Sequence, residues 1–171
     1  LRDSLHLITP AAAVAVRRAI RHTCGIICGI KWVNDLELAG GKVCGILTES
    51  VAESLVVGIG VNLWQQAAFP PEVQERAAAL FSAPQPELRE TLAAAVTNAL
   101  WALAGSLPDN GFLEEYREAS TLLGRSITVH GQGEPWPATA LAIDGRARLV
   151  VADGLGRQTA LISGEVSVRL G

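Results

Sequence analysis

Residues 26–62 constrain the fold most, because they hold a run of short strand-like segments with almost nothing between them. Residues 26–33 read as a strand, and Asn34-Asp35 as a turn or strand-end pair. Residues 36–38 pair back on that strand or continue it, and Ala39-Gly40-Gly41 is a tight turn. Residues 42–49 and 55–62 are two further strands, joined by a short polar loop at 50–54. Parallel strands need a crossover of a dozen or more residues, and none of these links is that long. The stretch is therefore a series of antiparallel hairpins, and a doubly wound α/β fold is disfavoured.

The flanking sequence supplies helices. Thr9-Pro10 has the form of a helix start, hydroxyl at N-cap and proline at the first helical position. Ala12, Ala15, Val16, Ala19 and Ile20 then recur at helical spacing, with Arg17, Arg18 and Arg21 turned outward. Pro70-Pro71-Glu72 opens a short helix over 70–80, and Pro84 to Pro86 breaks the chain. Leu88, Leu92, Ala95, Val96, Ala99 and Leu103 trace another helical stripe ending at Gly105, and residues 112–119 a third, short helix. The expected class is α+β, a mainly antiparallel sheet with helices packed on one face.

After Gly124 the texture changes to short β segments at 127–130, 138–143, 148–152, 159–162 and 165–169. Asp144-Gly145, Asp153-Gly154 and Ser163-Gly164 sit at the joints. Five such strands fit a small closed or half-closed barrel. With 171 residues there is room for one sizeable core or a domain with a small appendage, so the chain divides into 1–122 and 123–171.

Composition excludes several classes. A net charge of −3 argues against nucleic acid as a main partner, since basic surface supplies most of that affinity. No apolar run is long enough to span a bilayer, and no signal-peptide pattern opens the chain, so a cytoplasmic protein is expected. The chain lacks methionine altogether, which makes Leu1 an unexpected natural start and suggests a longer parent. Cys24, Cys28 and Cys44 lie in apolar surroundings and read as free buried thiols rather than metal ligands.

The chemistry concentrates at Lys31 and Lys42, the only lysines in a chain whose other 12 cations are arginines. Lysine is a compact charge on a flexible stem, whereas arginine is a planar fork that stays charged. Around them stand Asn34, Asp35, Glu49 and Asn62 at strand ends, with glycines at 40, 41, 45, 58 and 60. Simple alternation puts Lys42, Cys44, Ile46 and Thr48 on one side of their strand and Gly45 on the other. Glycine inside a strand marks close approach by a ligand or by another part of the backbone, here a packed helix. Gly58-Ile59-Gly60 is too short a pattern for a dinucleotide site. Two ammonium groups beside Asn and Asp suit an anionic ligand with a metal counter-ion, each charged hydrogen bond adding about 1.5–3 kcal/mol. Residue chemistry stops at a phosphate or carboxylate site.

KWVND, then GGKVCGILTES, then VVGIGVN resemble the signature series of the BirA-type biotin protein ligases, usually KWPND, GxKxxGIL(T/V)E and GxGxN. LHLITPAAAVAVRRAI resembles the helix before the first motif, LEEYREASTLLGRSITV the passage into the C-terminal domain, and SGEVSVR its closing strand. The resemblance implies a class II synthetase-like catalytic domain over 1–122 and an SH3-like β-barrel over 123–171. It also implies a two-step reaction. Biotin and Mg-ATP give biotinyl-5'-adenylate and pyrophosphate, and the acyl group then passes to a lysine of a biotin carboxyl carrier protein.

By the same resemblance Lys42 holds the biotin carboxylate and the α-phosphate, and Asp35 orients or deprotonates the acceptor lysine. Lys31 serves the triphosphate, with Trp32 and Ile46 among the binding residues. Gly45 lets backbone approach biotin. Asn34 and Asn62 serve the nucleotide and its Mg²⁺, and Glu165 with Arg169 match a pair facing the active site. A homodimer in the family's manner is also implied.

Two departures stand out. Val33 replaces the family's proline, losing its fixed φ and missing N–H. The GRGRxGR biotin loop and the strand before it are absent from these residues and are expected upstream of Leu1. Two other readings stay open, a non-catalytic biotin- or adenylate-binding or dimerising relative, and a ligase for lipoate or a similar acid.

Overall fold

The computed structural model describes residues 6–65, 76–109, 111–131 and 133–168. Its first element is helix α1, Ile8–Cys24, which buries Pro10, Val14, Val16, Ile20 and six further side chains. The helix begins ahead of Thr9, on buried Leu7 and Ile8, and has no side-chain cap. The Thr9 hydroxyl instead donates to Thr48 Oγ1 at 2.9 Å, tying helix to sheet. Gly25 closes α1 in the left-handed region at φ 68°, its N–H donating to Arg21 C=O.

Four strands follow, β1 Gly29–Lys31, β2 Asp35–Leu38, β3 Gly41–Val51 and β4 Ser54–Val61. They form one antiparallel sheet in the order β1-β2-β3-β4, as the hairpin reading requires. The strand expected over 26–33 is shorter, because Cys28 C=O is taken by Arg17 Nε at 3.0 Å and pairing starts only at Gly29. β1 is bonded on its other side by residues 119–121, with Ile30 N–H donating to Ala119 C=O and Thr121 N–H to Ile30 C=O. A Cβ at Gly29 would collide with Thr121 Cγ2.

The helix expected over 70–80 is not found in its described part; residues 66–75 lie outside the described residues. Residues 76–81 run extended, with parallel bridges Lys42↔Ala77 and Trp64↔Phe81. The start of β3 and the end of β4 have backbone groups to satisfy, and this segment satisfies them. Lys42 N–H donates to Arg76 C=O at 2.7 Å, Ala78 N–H to Lys42 C=O at 2.9 Å and Leu80 N–H to Asn62 C=O at 2.9 Å. Tertiary pairing outweighs the helical signal of the proline start.

Helix α2, Leu88–Gly105, a 3₁₀ turn at Leu107–Asp109, and helix α3, Phe112–Glu118, complete this layer. α1 packs against α2, α3 and the sheet. The C-terminal part is a second antiparallel sheet of β5 Ser126–Gly131, β6 Gly133–Ile143, β7 Leu149–Ala152, β8 Gln158–Leu161 and β9 Glu165–Val168. Its order is β8-β7-β6-β5-β9, and no pairing joins the outer strands β8 and β9 among the described residues. Ile127, Leu149 and Val151 share one apolar cluster with α1 and β3.

Two turns of this sheet repeat one device. Asp144 Oδ1 accepts the N–H groups of Arg146 and Arg148, both at 2.9 Å, while Oδ2 takes Arg148 Nε at 2.7 Å. Asp153 does the same with Leu155 and Arg157. Bonds from Arg157 hold the Asp153 carboxyl below the usual carboxylate range; at Asp144 burial pulls upward but the Arg148 bonds prevail. Both turns are thus tightest above the unfolded carboxylate pKa and loosen as pH falls through the folded value.

Gly41 tests the crossing of residues 76–78, since a Cβ there would lie 2.6 Å from Ala78 Cβ and 3.3 Å from the Ala77 carbonyl carbon. Gly41→Ala should destabilise by about 1–3 kcal/mol in denaturant unfolding. Gly111→Ala, with nothing within 4 Å, should stay within about 0.5 kcal/mol.

Candidate functional site

Lys31 and Asp35 face each other directly across the β1–β2 hairpin, and Asp35 in turn stands opposite Gly45 of β3. Between β2 and β3 the register slips: Leu36 pairs with Cys44 but Glu37 pairs with Lys42, leaving Val43 as an extra residue. This is a β-bulge, and Val43 and Cys44 are both buried as consecutive residues. The bulge reverses the alternation expected from sequence. Lys42 does not share a side with Cys44 and Ile46; it lies over Gly45.

The result is an ion pair at the end of the sheet. Lys42 Nζ stands 2.7 Å from Asp35 Oδ1, with side chains 47% and 21% exposed. Asp35 Oδ1 is closed off from solvent, and the ammonium approaches it off the line a hydrogen bond needs, so its bonding capacity stays unmet. A Cβ at Gly45 would come within 3.0 Å of both Lys42 Cε and Nζ. Glycine at 45 is thus what lets the lysine lie flat beside Asp35. A pair this exposed adds about 0–1 kcal/mol to stability. Its significance is placement.

Beyond the pair the same face continues as a bare floor. Gly45 pairs with Gly60 and Leu47 with Gly58. Leu47 and Val56 are 61% and 52% exposed on that side. Cys44 and Ile46 are buried on the opposite face, where Thr48 meets α1. Helix packing therefore does not explain the glycines. A Cβ at Gly58 would find nothing nearer than 3.7 Å and one at Gly60 nothing nearer than 4.0 Å, so the fold itself has room for side chains there. The floor ends at a cation on one side and reaches Glu49, opposite Val56, on the other. It suits a ligand with a flat or hydrocarbon body and an anionic tip at the lysine end.

The other candidates divide by where they point. Lys31 Nζ lies 3.8 Å from Glu37 Oε1, whose other oxygen accepts from Thr121 Oγ1 at 3.0 Å. Asn34 donates its amide to Ile46 C=O at 2.7 Å, and Ile46 N–H returns to Asn34 C=O at 2.9 Å. Asn62 donates its amide to Lys42 C=O at 3.2 Å and Ala78 C=O at 3.0 Å. Both asparagines therefore brace the backbone around Lys42. Trp32 is buried, its indole N–H given to Ala147 C=O at 2.9 Å. Glu165 starts β9 opposite His130, exposed, with no ion pair to this group. Arg169 lies outside the described residues.

Glu37 and Tyr116 were not anticipated. Tyr116 donates its hydroxyl to Val33 C=O at 2.9 Å, and burial pushes the phenol far up so that it stays a donor. Glu37 was signalled by its spacing of two from Asp35 on one strand; Tyr116 carried no local signal. The Trp32–Val33 peptide bond is cis. Among the described residues no His, Cys, Asp and Glu side chains cluster to hold a metal ion, so the Mg²⁺ assignment at Asn34 and Asn62 finds no acidic support. No helix is long and apolar enough to cross a membrane among them.

Residues 4–64 match the biotin/lipoate A/B protein ligase family. The chain is 44% identical over 82 residues to the bifunctional ligase/repressor BirA of Bacillus subtilis, covering 44% of this chain and 25% of that protein. It is 30% identical over 145 residues to the biotin--[acetyl-CoA-carboxylase] ligase of Mycobacterium tuberculosis, covering 81% and 52%. The match thus spans between a quarter and about half of these relatives. The fold matches a biotin protein ligase from Aquifex aeolicus with TM-score 0.80 at 22% identity, covering 99% of this chain and 77% of that one. The same enzyme in complex with biotin and ATP gives TM-score 0.78 at 22% identity, covering 98% and 72%. The resemblance drawn from the three motifs holds.

The thiols of this region are inert by environment. Burial pushes Cys44 up to about 12, with Asp35 adding and Lys42 opposing, and pushes Cys28 up to about 11 against the pull of Arg17. Both stay protonated at neutral pH, and the thiolate is the nucleophile. Alkylation of the folded chain at pH 8 should modify half-buried Cys24 alone, and all three thiols after denaturation, as read by intact mass.

Proposed function

From a chain whose residues 4–64 carry the biotin/lipoate A/B protein ligase family signature, we propose that it is the ligase core of a biotin protein ligase. The observation that carries this reading is the glycine floor of β3 and β4 ending at the Lys42–Asp35 pair. Biotin has the shape that such a surface accepts, an apolar bicycle and chain with a carboxylate at the end. Lipoate shares the carboxylate; the GGKVCGIL wording and the appended C-terminal sheet favour biotin.

In the proposed first step a biotin carboxylate oxygen attacks the α-phosphorus of ATP, and the bond to the bridging oxygen breaks to release pyrophosphate. Lys42 neutralises charge on the carboxylate and the α-phosphate as they approach, a contribution that strengthens as the bond forms. Binding these anions draws the ammonium from Asp35 and frees its carboxylate. In the second step a lysine amine of a biotin carboxyl carrier protein attacks the acyl carbon and AMP departs. Asp35 orients that amine and receives its proton. Lys31, held by Glu37 at the pair's flank, serves the polyphosphate. Magnesium accompanies the nucleotide phosphates, and no protein ligand is assigned to it.

We assign residues 1–122 to the catalytic domain and 123–171 to an SH3-like barrel, and keep Glu165 and Arg169 as binding residues on the family resemblance alone. The protein is proposed to be cytoplasmic and to form a homodimer.

Biotin-dependent exchange of labelled pyrophosphate into ATP, measured on the protein with its natural N-terminus, tests the reading. Lys42→Ala should lower the exchange rate by about 10²–10³-fold. Gly60→Val should raise the biotin KM by about tenfold or more while leaving the unfolding midpoint nearly unchanged, because the floor is open on that side. Exchange that is absent with biotin and present with lipoate would move the assignment to the lipoate ligases.

A further inference from the structure

Between Lys31 and Asp35 the chain passes through Trp32, Val33 and Asn34, and each is held by a different part of the molecule. Asn34 is fixed to Ile46 of β3 through both backbone and amide. Val33 C=O is fixed by Tyr116 of α3. Trp32, 115 residues away in sequence from its acceptor, gives its indole N–H to Ala147 C=O in the turn between β6 and β7. Both partners are buried, Trp32 to 3% and Ala147 to 5% exposure. A buried donor stripped of its acceptor is costly, so indole and turn move together.

That turn is stiff. Asp144 binds the N–H groups of Arg146 and Arg148 and the Arg148 guanidinium, and Ala147 sits at φ 57°. Arg117 of α3 donates to Ile143 C=O at 2.8 Å and Asp144 C=O at 3.2 Å, bracing the turn from the helical layer. The Asp35 carboxylate, by contrast, has one oxygen buried with its bonding unmet and a flexible, half-exposed lysine as its ion-pair partner. Its position is therefore inherited from backbone, from its ladder partners Lys31 and Gly45 and from residues 32–34 that lead into it.

We propose that the Asp144–Arg148 turn is a positioning element for the Lys42–Asp35 pair, acting through the indole N–H of Trp32. The C-terminal sheet thereby sets the alignment of a site to which it contributes no charge through this contact. The catalytic meaning rests on the biotin ligase reading; the mechanical coupling does not.

Two lysines in the chain give two signals in a spectrum of lysine labelled at Cε and Nζ, so the Lys42 ammonium can be followed alone. Trp32→Phe keeps an aromatic ring in the core and removes the N–H; Asp144→Ala loosens the turn from a distance. Both should move the Lys42 signal in the direction that Asp35→Asn moves it. On an Asp35→Asn background both effects should vanish, whereas a change of ring current alone would persist. In transfer from preformed biotinyl-5'-adenylate to a biotin carboxyl carrier protein, the step assigned to Asp35, Trp32→Phe should lower kcat about tenfold with the carrier KM within about twofold, again only while Asp35 is present.

A Lys42 signal left at its wild-type position by both variants overturns the proposal, as does a shift that survives unchanged without Asp35. If Trp32→Phe fails to fold, Asp144→Ala alone decides. Missing exchange in the wild-type protein overturns the ligase reading, while the spectral cycle still decides the coupling.

Discussion

One extra residue in β3 determines what this sheet can do. Without the bulge at Val43, strand parity would aim Lys42 at α1 together with Cys44 and Ile46, into a core that contains no buried charge among the described residues. Desolvating a lone ammonium there costs far more than the apolar contacts return. With the bulge, Val43 and Cys44 both enter the core and Lys42 turns to the open face, 2.7 Å from Asp35. Bulges that re-aim a side chain beside a working site are a recurrent use of this irregularity. Here it joins an apolar floor to a cation.

The bulge in turn depends on what holds the strand around it. Lys42 is gripped through its backbone on both sides, by Arg76 C=O and Ala78 N–H, and Asn62 spans Lys42 C=O and Ala78 C=O. Gly41 makes the close crossing of residues 77 and 78 sterically possible. Asn34 does the equivalent work at Ile46. Read from the motifs, both asparagines looked like ligands for the nucleotide and its metal. In the structure each is first a bridge between main chains. These roles are compatible, because an amide that donates through nitrogen keeps its oxygen, but the bracing explains why an amide suits these positions better than a carboxylate.

Much of this was legible in the sequence. The hairpins, the two long helical stripes and the five C-terminal strands follow from periodicity and turn residues, which are local signals. The failures are all of one kind. Residues 76–80 were expected to be helical and run extended because distant strands present open hydrogen-bonding groups. The helix start was placed at Thr9 from its capping chemistry, whereas burial of Leu7 and Ile8 pulls it earlier and leaves Thr9 to reach Thr48. The faces of Lys42 and Gly45 were inverted because a bulge is invisible to simple alternation. Tyr116 and Ala147 carried no signal, since their importance lies in meeting the Val33 carbonyl and the Trp32 indole from 83 and 115 residues away. The chemical identity of the site residues was readable; their directions were set by contacts far off in the chain.

The division of labour between the two cation types follows from the same geometry. Arginines 17, 117, 148 and 157 each engage carboxylates or carbonyls through two nitrogens of the planar fork, at the joints between elements. Those are fixed two-point contacts, which a guanidinium makes best. Lys42 lies within 3.0 Å of where a Cβ at Gly45 would sit, so the wider guanidinium would have to lift off the floor and lose Asp35. A lysine also turns freely about its stem, which lets one ammonium exchange a carboxylate of the protein for an incoming anion without moving backbone. In the proposed mechanism the chain's two lysines thus stand where a charge has to change partners, and these arginines stand where charges keep them.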